Sequence, residues 1–207
     1  TYNIEQSLYD PITHGTFAKD GVTLEFRAKV MATANIDWIE LEASGGPLEI
    51  EFSTQLTDQE LILPQIDVTA SRRSSGIDGD TLWMRRHYDD HVDVESGMAA
   101  AVRITDDKGT QISPWTPLPL ATPEPTAREP QKFGKIQWKE ALEPMPALGA
   151  KQKITLTPGH PVTILIGVDS VFNNKEYQKS AVELVRGVTP QRLEDLHQEH
   201  ADWWAGY

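Results

Sequence analysis

The sequence has no cysteine and no long apolar run. Without cysteine the protein forms no disulfide, has no thiolate nucleophile and cannot bind zinc through sulfur. No apolar run approaches the roughly 20 residues that a transmembrane helix needs. A phosphate-binding glycine loop and the Gly-x-Ser-x-Gly motif of serine hydrolases are also absent. We therefore expect neither a membrane-spanning protein nor an enzyme of these two classes, and we expect no cofactor.

Basic residues are scarce beside acidic ones. The 19 Lys and Arg residues are outnumbered by 31 Asp and Glu residues, which gives a formal net charge of −12. An acidic surface repels phosphate groups, so nucleic acid and anionic membranes are not expected partners. The same charge suits a secreted or periplasmic protein, which is the location we expect. With 39% hydrophobic residues and six Trp in 207 residues, the chain is expected to fold around one sizeable core.

Alternating apolar and polar residues predict strands over much of the chain. In Val22–Val30 the apolar residues occupy every second position, which is the period of a half-buried antiparallel strand. Asp20 and Gly21, just before it, predict a two-residue hairpin turn because glycine tolerates positive φ. The polar, glycine-containing stretch Ser71–Asp80 is predicted to be a loop. Similar patterns predict further strands at Thr16–Lys19, Asp37–Glu42, Leu48–Gln55, Thr81–Arg86, Gly97–Thr105, Lys151–Leu156 and Val162–Val168.

Near the C-terminus the apolar period changes to that of a helix. We predict helices at Asn174–Arg186 and Pro190–Tyr207, with Thr189 as the N-cap of the second. One face of the second helix carries Leu193, Leu196, His200, Trp203 and Tyr207.

The second helix ends in adjacent tryptophans, Trp203 and Trp204. Large exposed apolar patches are uncommon on a protein that works alone, so this end of the helix needs a surface that buries it. We therefore predict that Leu196, His200, Trp203 and Trp204 pack against another domain.

These patterns together predict a mainly β protein, an antiparallel β-sandwich followed by two C-terminal helices. We assign residues 1–170 to the sandwich and residues 171–207 to a helical linker. Residues 113–130 hold closely spaced prolines, which remove backbone donors and favour an extended chain. This proline-rich segment is predicted to be a surface insertion in the sandwich.

Metal-binding residue types occur together in the segment His87–His91, but their spacing is unspecific. Such segments are more often only solvated, and we predict no metal site. His200 lies on the apolar face of its helix, where a hydrogen-bonded packing histidine is favoured over a metal ligand. No pair of carboxylates has a spacing that identifies the acid and base of a glycosidase.

Tryptophan rings can stack on sugars, and Trp38, Trp83, Trp115 and Trp138 are candidates for this role. Trp38 is interpreted as a core residue. For Trp115, in the proline-rich segment, sugar stacking and packing are equally open. Trp83 and Trp115 are the predicted sugar-binding residues.

Several segments resemble, in pattern and order, the N-terminal β-supersandwich domain of bacterial glycosidases whose catalytic domain is an α/α toroid. These glycosidases include the inverting α-L-fucosidase family and its relatives. The N-terminal resemblance is carried by Gly21–Leu24, Val30–Asn35, Ile39–Ala43, Pro47–Phe52, Asp80–Arg85 and Met98–Ile104. The C-terminal resemblance, to the linker helices that lead into the toroid, is more specific and is carried by Leu156–Gly159, Val162–Val168, Tyr177 and Leu193–Trp204. The proline-rich segment departs from the family pattern.

The resemblance implies a supersandwich fold and a non-catalytic role. The chain would be the N-terminal region of a larger glycoside hydrolase, packing on the toroid and shaping the rim of its sugar site. Its expected partners are carbohydrate and a downstream catalytic domain outside this chain, to which residues 171–207 lead. Because those families hold their catalytic carboxylates in the toroid, we predict no catalytic residue here. Two alternatives stay open, a free-standing carbohydrate-binding β-sandwich module and a secreted protein-docking module that uses the terminal helix.

Overall fold

A computed structural model describes residues 1–7, 11–56, 72–88, 95–107, 111–118, 132–133, 136–137 and 148–206. The helices are α1 (Tyr177–Arg186) and α2 (Pro190–Ala205). The strands are β1 (Tyr2–Gln6), β2 (Thr13–Lys19), β3 (Val22–Val30), β4 (Ile36–Ser44), β5 (Leu48–Leu56), β6 (Arg72–Asp78), β7 (Thr81–Tyr88), β8 (Ser96–Asp106), β9 (Thr116–Pro117), β10 (Lys132–Phe133), β11 (Ile136–Gln137), β12 (Leu148–Leu156) and β13 (Val162–Ser170).

Eight strands form one large antiparallel sheet in the order β1-β2-β3-β4-β13-β8-β7-β6. The first four strands are a meander, and β13 then lies between β4 and β8. Asp20 and Gly21 have φ values of 52° and 81°, the positive values that a tight two-residue hairpin turn requires. The predicted hairpin is therefore confirmed, and β2 begins at Thr13 rather than Thr16.

A smaller sheet has the order β5-β12-β9. Strand β12 pairs with β5 from Leu148↔Leu56 to Leu156↔Leu48, and its other edge pairs with the short β9. Strand β9 belongs to the beginning of the proline-rich segment, so this part of the predicted surface insertion is built into the sandwich. Residues 119–130 of that segment lie outside the described residues.

The large sheet carries an apolar core on each face. Between the two sheets lie buried side chains from β4, β7, β8, β12 and β13, among them Leu82, Ile154 and Ile164. On the opposite face, Trp38 and Leu165 of the sheet pack with Tyr177 of α1 and Leu196 of α2. The protein thus has three layers: small sheet, large sheet and helices. The prediction of an antiparallel β-sandwich with two C-terminal helices is confirmed.

The prediction of a loop at Ser71–Asp80 was wrong, because Arg72–Asp78 forms the edge strand β6. An edge strand can hold polar side chains, since little of its surface is buried. Gly76 pairs with Trp83 across the ladder, and a Cβ atom at Gly76 would lie 2.6 Å from the Trp83 ring. The glycine that suggested a loop instead provides the space into which a ring on the neighbouring strand packs.

Candidate functional site

Trp115, one of the two predicted sugar-binding residues, lies in the core between the sheets. Its side chain is 7% exposed, and its ring makes an edge contact with Phe52 at 6.2 Å between centroids. Its Nε1 atom donates a hydrogen bond of 2.9 Å to the backbone oxygen of Asp80. A ring buried in this way has no open face on which a sugar could stack, so the geometry favours the packing alternative.

Trp83, the other predicted sugar-binding residue, lies on β7 on the face that the helices cover. It is partly buried and packs against the core between the large sheet and the helices. Its ring covers Gly76 on the edge strand β6. Trp83 therefore presents only part of its ring to solvent, at the margin of the helical layer.

The terminal helix α2 begins at the predicted cap. The Thr189 hydroxyl accepts a 3.2 Å hydrogen bond from the backbone nitrogen of Arg192, and Pro190 occupies the first turn. Leu196, further along the helix, is 1% exposed and lies in the core that the helices share with the sheet. Leu193 packs against the same core. The first part of the apolar face of α2, Leu193 and Leu196, is thus packed in the core between the helices and the large sheet.

The loop between β3 and β4 holds the second half of α2. Buried His200 accepts a 3.2 Å hydrogen bond at Nδ1 from the backbone nitrogen of Ala32. The Thr33 hydroxyl donates to Glu199 at 2.6 Å, and Arg192 donates to the same carboxylate at 2.5 Å. The prediction of a hydrogen-bonded packing histidine at position 200 is confirmed. Both Leu196 and His200, predicted to pack against another domain, are enclosed within their own fold.

His197 of α2 stands beside Trp38 of β4. The two rings meet edge to face with centroids 4.6 Å apart, and Trp38 is buried, as predicted for a core residue. The Lys29 ammonium lies 5.8 Å from the Trp38 ring and the Arg27 guanidinium 6.0 Å from it. Burial lowers the pKa of His197 to about 4, with contributions from nearby Lys29, His200 and Arg27. His197 is therefore neutral at pH 7.

Trp203 and Trp204, in contrast, remain on the surface. They are 41% and 38% exposed, and their rings contact each other at 4.9 Å in a T-shaped arrangement. Trp204 also approaches the His200 ring, with centroids 6.3 Å apart. Two large aromatic side chains thus form an apolar surface at the C-terminal end of α2. We call these two residues the tryptophan pair.

A second candidate surface, which the sequence interpretation missed, lies on the helix-side face of β1–β4. Polar side chains from neighbouring strands line an open concavity: Asn3, Glu5, His14, Arg27, Glu40 and Glu42. Arg27 forms an ion pair with Glu40. Glu25 and Glu42 lie directly opposite each other on β3 and β4. The polar residues of each strand were visible in the sequence, but only the register between strands brings them together.

The segment His87–His91 is described only as far as Tyr88. His87 lies 3.1 Å from the Tyr177 hydroxyl, which also accepts a 2.7 Å hydrogen bond from Arg85. These contacts connect β7 to the first turn of α1. Within the described ranges no group of three or more His, Cys, Asp or Glu residues is placed to hold a metal ion. Nor does that part of the chain contain a helix long and apolar enough to cross a membrane.

No family profile matches the chain, and no curated protein matches it in sequence. Two similar solved structures are those of a family GH92 alpha-mannosidase from Bacteroides thetaiotaomicron, one of them in complex with mannoimidazole. Each is 9% identical to the chain and aligns with 99% of it, with TM-scores of 0.33 and 0.32. The chain spans 23% and 22% of the length of those two proteins. They are glycoside hydrolases of a different family from the fucosidases, and a similarity at this level identifies no function.

Proposed function

We propose that this chain is the non-catalytic β-sandwich region of a larger glycoside hydrolase, and that the tryptophan pair contacts the catalytic domain. The finer part of the proposal follows the sequence resemblance: an α/α toroid as the catalytic domain, with the sandwich shaping the rim of its sugar site. A secreted or periplasmic location belongs to the same proposal. Carbohydrate is then the substrate of the whole enzyme rather than a ligand of this region alone.

The observation that carries the proposal is the unequal burial along α2. Leu196 and His200 are each 1% exposed, whereas the tryptophan pair just beyond them is about 40% exposed. Tryptophan side chains hold 150–250 Å² of surface each, so a substantial apolar area remains in water. Two adjacent exposed tryptophan rings support a contact at this position, because tryptophan is enriched at protein interfaces. The firm packing of α2 would fix the position of such a contact relative to the sandwich.

The first test is the mass of the native gene product, measured by mass spectrometry. A product much larger than 23.1 kDa, with glycosidase activity, is expected. A native product close to that mass would contradict the proposal.

The second test measures how much the tryptophan pair contributes to the thermal stability of that full-length product. The variant carrying Trp203→Ala and Trp204→Ala should lower the melting temperature of the full-length enzyme more than it lowers that of the 207-residue chain. The extra loss reports burial against the catalytic domain. Tyr2→Ala, a change of another exposed aromatic residue on the opposite face of the sheet, is the matched control and should show no such difference. Equal losses in both proteins would exclude the tryptophan pair from the interface.

The polar concavity on β1–β4 favours a second candidate, a carbohydrate-binding module. Glu25 and Glu42 are like charges directly opposite each other, a pairing that destabilises a sheet unless something compensates for it. Sugar hydroxyls can donate hydrogen bonds to such carboxylates. Calorimetric titration with glycans at high concentration tests this function, using Glu25→Gln together with Glu42→Gln as the variant. Absence of binding to every glycan by the unchanged protein would dismiss it.

The third hypothesis, a secreted protein-docking module, loses part of its basis. It depended on an unpartnered terminal helix, whereas Leu193, Leu196 and His200 pack within the fold. Among the described residues of α2, the large aromatic side chains that stay exposed are those of the tryptophan pair. The experiment on the full-length product tests whether they contact the catalytic domain.

A further inference from the structure

Strand β1 is an open edge of the large sheet. It pairs with β2 on one side and has no neighbouring strand on the other within the described residues. All five of its residues are exposed, with Tyr2 at 76% and Ile4 at 53%. Natural edge strands are usually protected by charges, proline or a bulge. Strand β1 has one charged residue, Glu5, no proline, and a continuous register with β2.

The hydrogen bonds to β2 show which backbone groups face outward. Thr1 and Ala18 exchange both bonds, at 2.9 and 2.8 Å, and the Ser7 nitrogen donates to the Ile12 oxygen at 3.2 Å. Bonded pairs alternate along an antiparallel ladder, so odd-numbered residues of β1 point their backbone groups toward β2. The N–H and C=O groups of the even-numbered residues, with Ile4 at the centre, therefore face the open edge.

We propose that this edge pairs with β1 of a second copy of the chain, in an antiparallel arrangement with a two-fold axis between the two Ile4 residues. Tyr2 of each copy then lies opposite Gln6 of the other. In this register the outward N–H and C=O groups of both strands meet as hydrogen-bonded pairs. The contact is isologous and closes as a dimer.

Side-chain complementarity selects a second copy over an unrelated strand. On one face of the paired edge, Asn3 lies opposite Glu5 of the other copy, so an amide donor meets a carboxylate and no like charges face each other. On the other face, Tyr2 ends a row of stacked rings in which Tyr2 and Phe17 are 6.5 Å apart, and Phe17 and Phe26 are 6.0 Å apart. Pairing covers the exposed side of Tyr2 and brings the two Ile4 side chains together.

The expected dimer is weak. A pair of five-residue strands is smaller than the interfaces of about 1,200–2,000 Å² that hold stable complexes. Each copy also carries a net charge of −12, which opposes association and is screened by salt. Association should therefore depend on concentration and should strengthen as ionic strength rises.

Sedimentation equilibrium of the 207-residue chain over a range of concentrations tests the proposal at low and high salt. We expect the apparent mass to rise from 23.1 kDa toward twice this value, and to rise further at high salt. Ile4→Lys and Ile4→Glu place like charges at the two-fold axis, so each should weaken the dimer and raise its dissociation constant by about tenfold or more. An equimolar mixture of the two variants should associate again, because opposite charges then face each other across the axis.

Ile77→Lys is the matched control, since Ile77 is an exposed apolar residue of β6 at the other edge of the same sheet. This variant should associate like the unchanged protein. A monomer at every concentration and salt condition overturns the proposal. Association of Ile4→Lys at the original strength overturns it too, and a mixture of the Ile4 variants that stays monomeric overturns the two-fold register. Circular dichroism of each variant confirms that a loss of association is not a loss of folding.

Discussion

Removing the Leu196 side chain tests whether α2 is a structural layer of the sandwich or only a helix attached to its end. Leu196 is 1% exposed and packs in the core that joins the helices to the large sheet. Truncation of a buried leucine to alanine costs about 2–5 kcal/mol, and for Leu196→Ala we expect about 3 kcal/mol. In a domain of this size each kcal/mol shifts the melting temperature by about 2–4 °C, so the expected decrease is about 6–12 °C.

Two further variants on α2 set the scale of this effect. Glu194→Ala removes an exposed side chain from the same helix and should change the free energy of unfolding by less than about 0.5 kcal/mol. Trp203→Ala removes a larger side chain that is 41% exposed, and should cost about 1–2 kcal/mol in the isolated chain. The loss in the free energy of unfolding should be largest for Leu196→Ala, smaller for Trp203→Ala and smallest for Glu194→Ala, although tryptophan is the largest of the three side chains.

Urea unfolding followed by tryptophan fluorescence and by circular dichroism measures these differences. Coincident transitions by the two probes are expected if α2 unfolds together with the sheet. If Leu196→Ala stays within about 0.5 kcal/mol of the unchanged protein, the three-layer packing described for α2 is refuted. A separate early transition in which the helical circular dichroism signal is lost before the main unfolding step would show that α2 melts separately, which contradicts the same reasoning.

Three further predictions concern the cap, a histidine and a close contact. Thr189→Ala removes the hydroxyl that caps α2 and should lower the free energy of unfolding by about 1 kcal/mol, whereas Thr189→Ser should retain most of the stability. His197 has a folded-state pKa of about 4, below the 6.5 of the unfolded chain. Its contribution to the free energy of unfolding is therefore complete above pH 6.5 and is lost as the pH falls through 4. Because the ring is partly exposed, this loss is on the order of 1–2 kcal/mol. Measured by urea unfolding between pH 7 and pH 4, His197→Phe should lack that part of the pH dependence. An unchanged pH profile would contradict the lowered pKa of His197. Gly76→Ala places a Cβ atom 2.6 Å from the Trp83 ring and should cost about 1–3 kcal/mol with an altered tryptophan fluorescence spectrum, while the neighbouring Ser75→Ala should leave that spectrum unchanged.

Much of the local structure was predictable because it is encoded by neighbouring residues. The hairpin at Asp20 and Gly21 follows from positive φ, and the strand Val22–Val30 follows from its two-residue period. The start of α2 follows from a capping hydroxyl at Thr189 and a proline in the first turn. The packing role of His200 was also predictable from its place on the apolar face of the helix.

Other features depended on contacts between distant parts of the chain. Local sequence could not show that β6 is a strand, because its partner β7 and the ring of Trp83 are what place it in the sheet. Nor could it distinguish a buried Trp115 from an exposed one, since its burial comes from Phe52 and Asp80 far along the sequence.

The physical reason is the range of the interactions involved. Periodicity, turns and caps depend on residues within one or two turns of each other, so the amino-acid sequence by itself determined the mainly β class and the helix at the C-terminus. Burial, strand order and register depend on which surfaces meet. When the two faces of a strand are similar in sequence, nothing in the strand itself shows which face another element will cover. Only the tertiary structure decided that Leu196 is buried in the core between the helices and the large sheet, that His200 is buried beside the loop between β3 and β4, and that the tryptophan pair stays exposed. Among the strands of the described residues, it likewise decided that β1 is the terminal strand of that sheet.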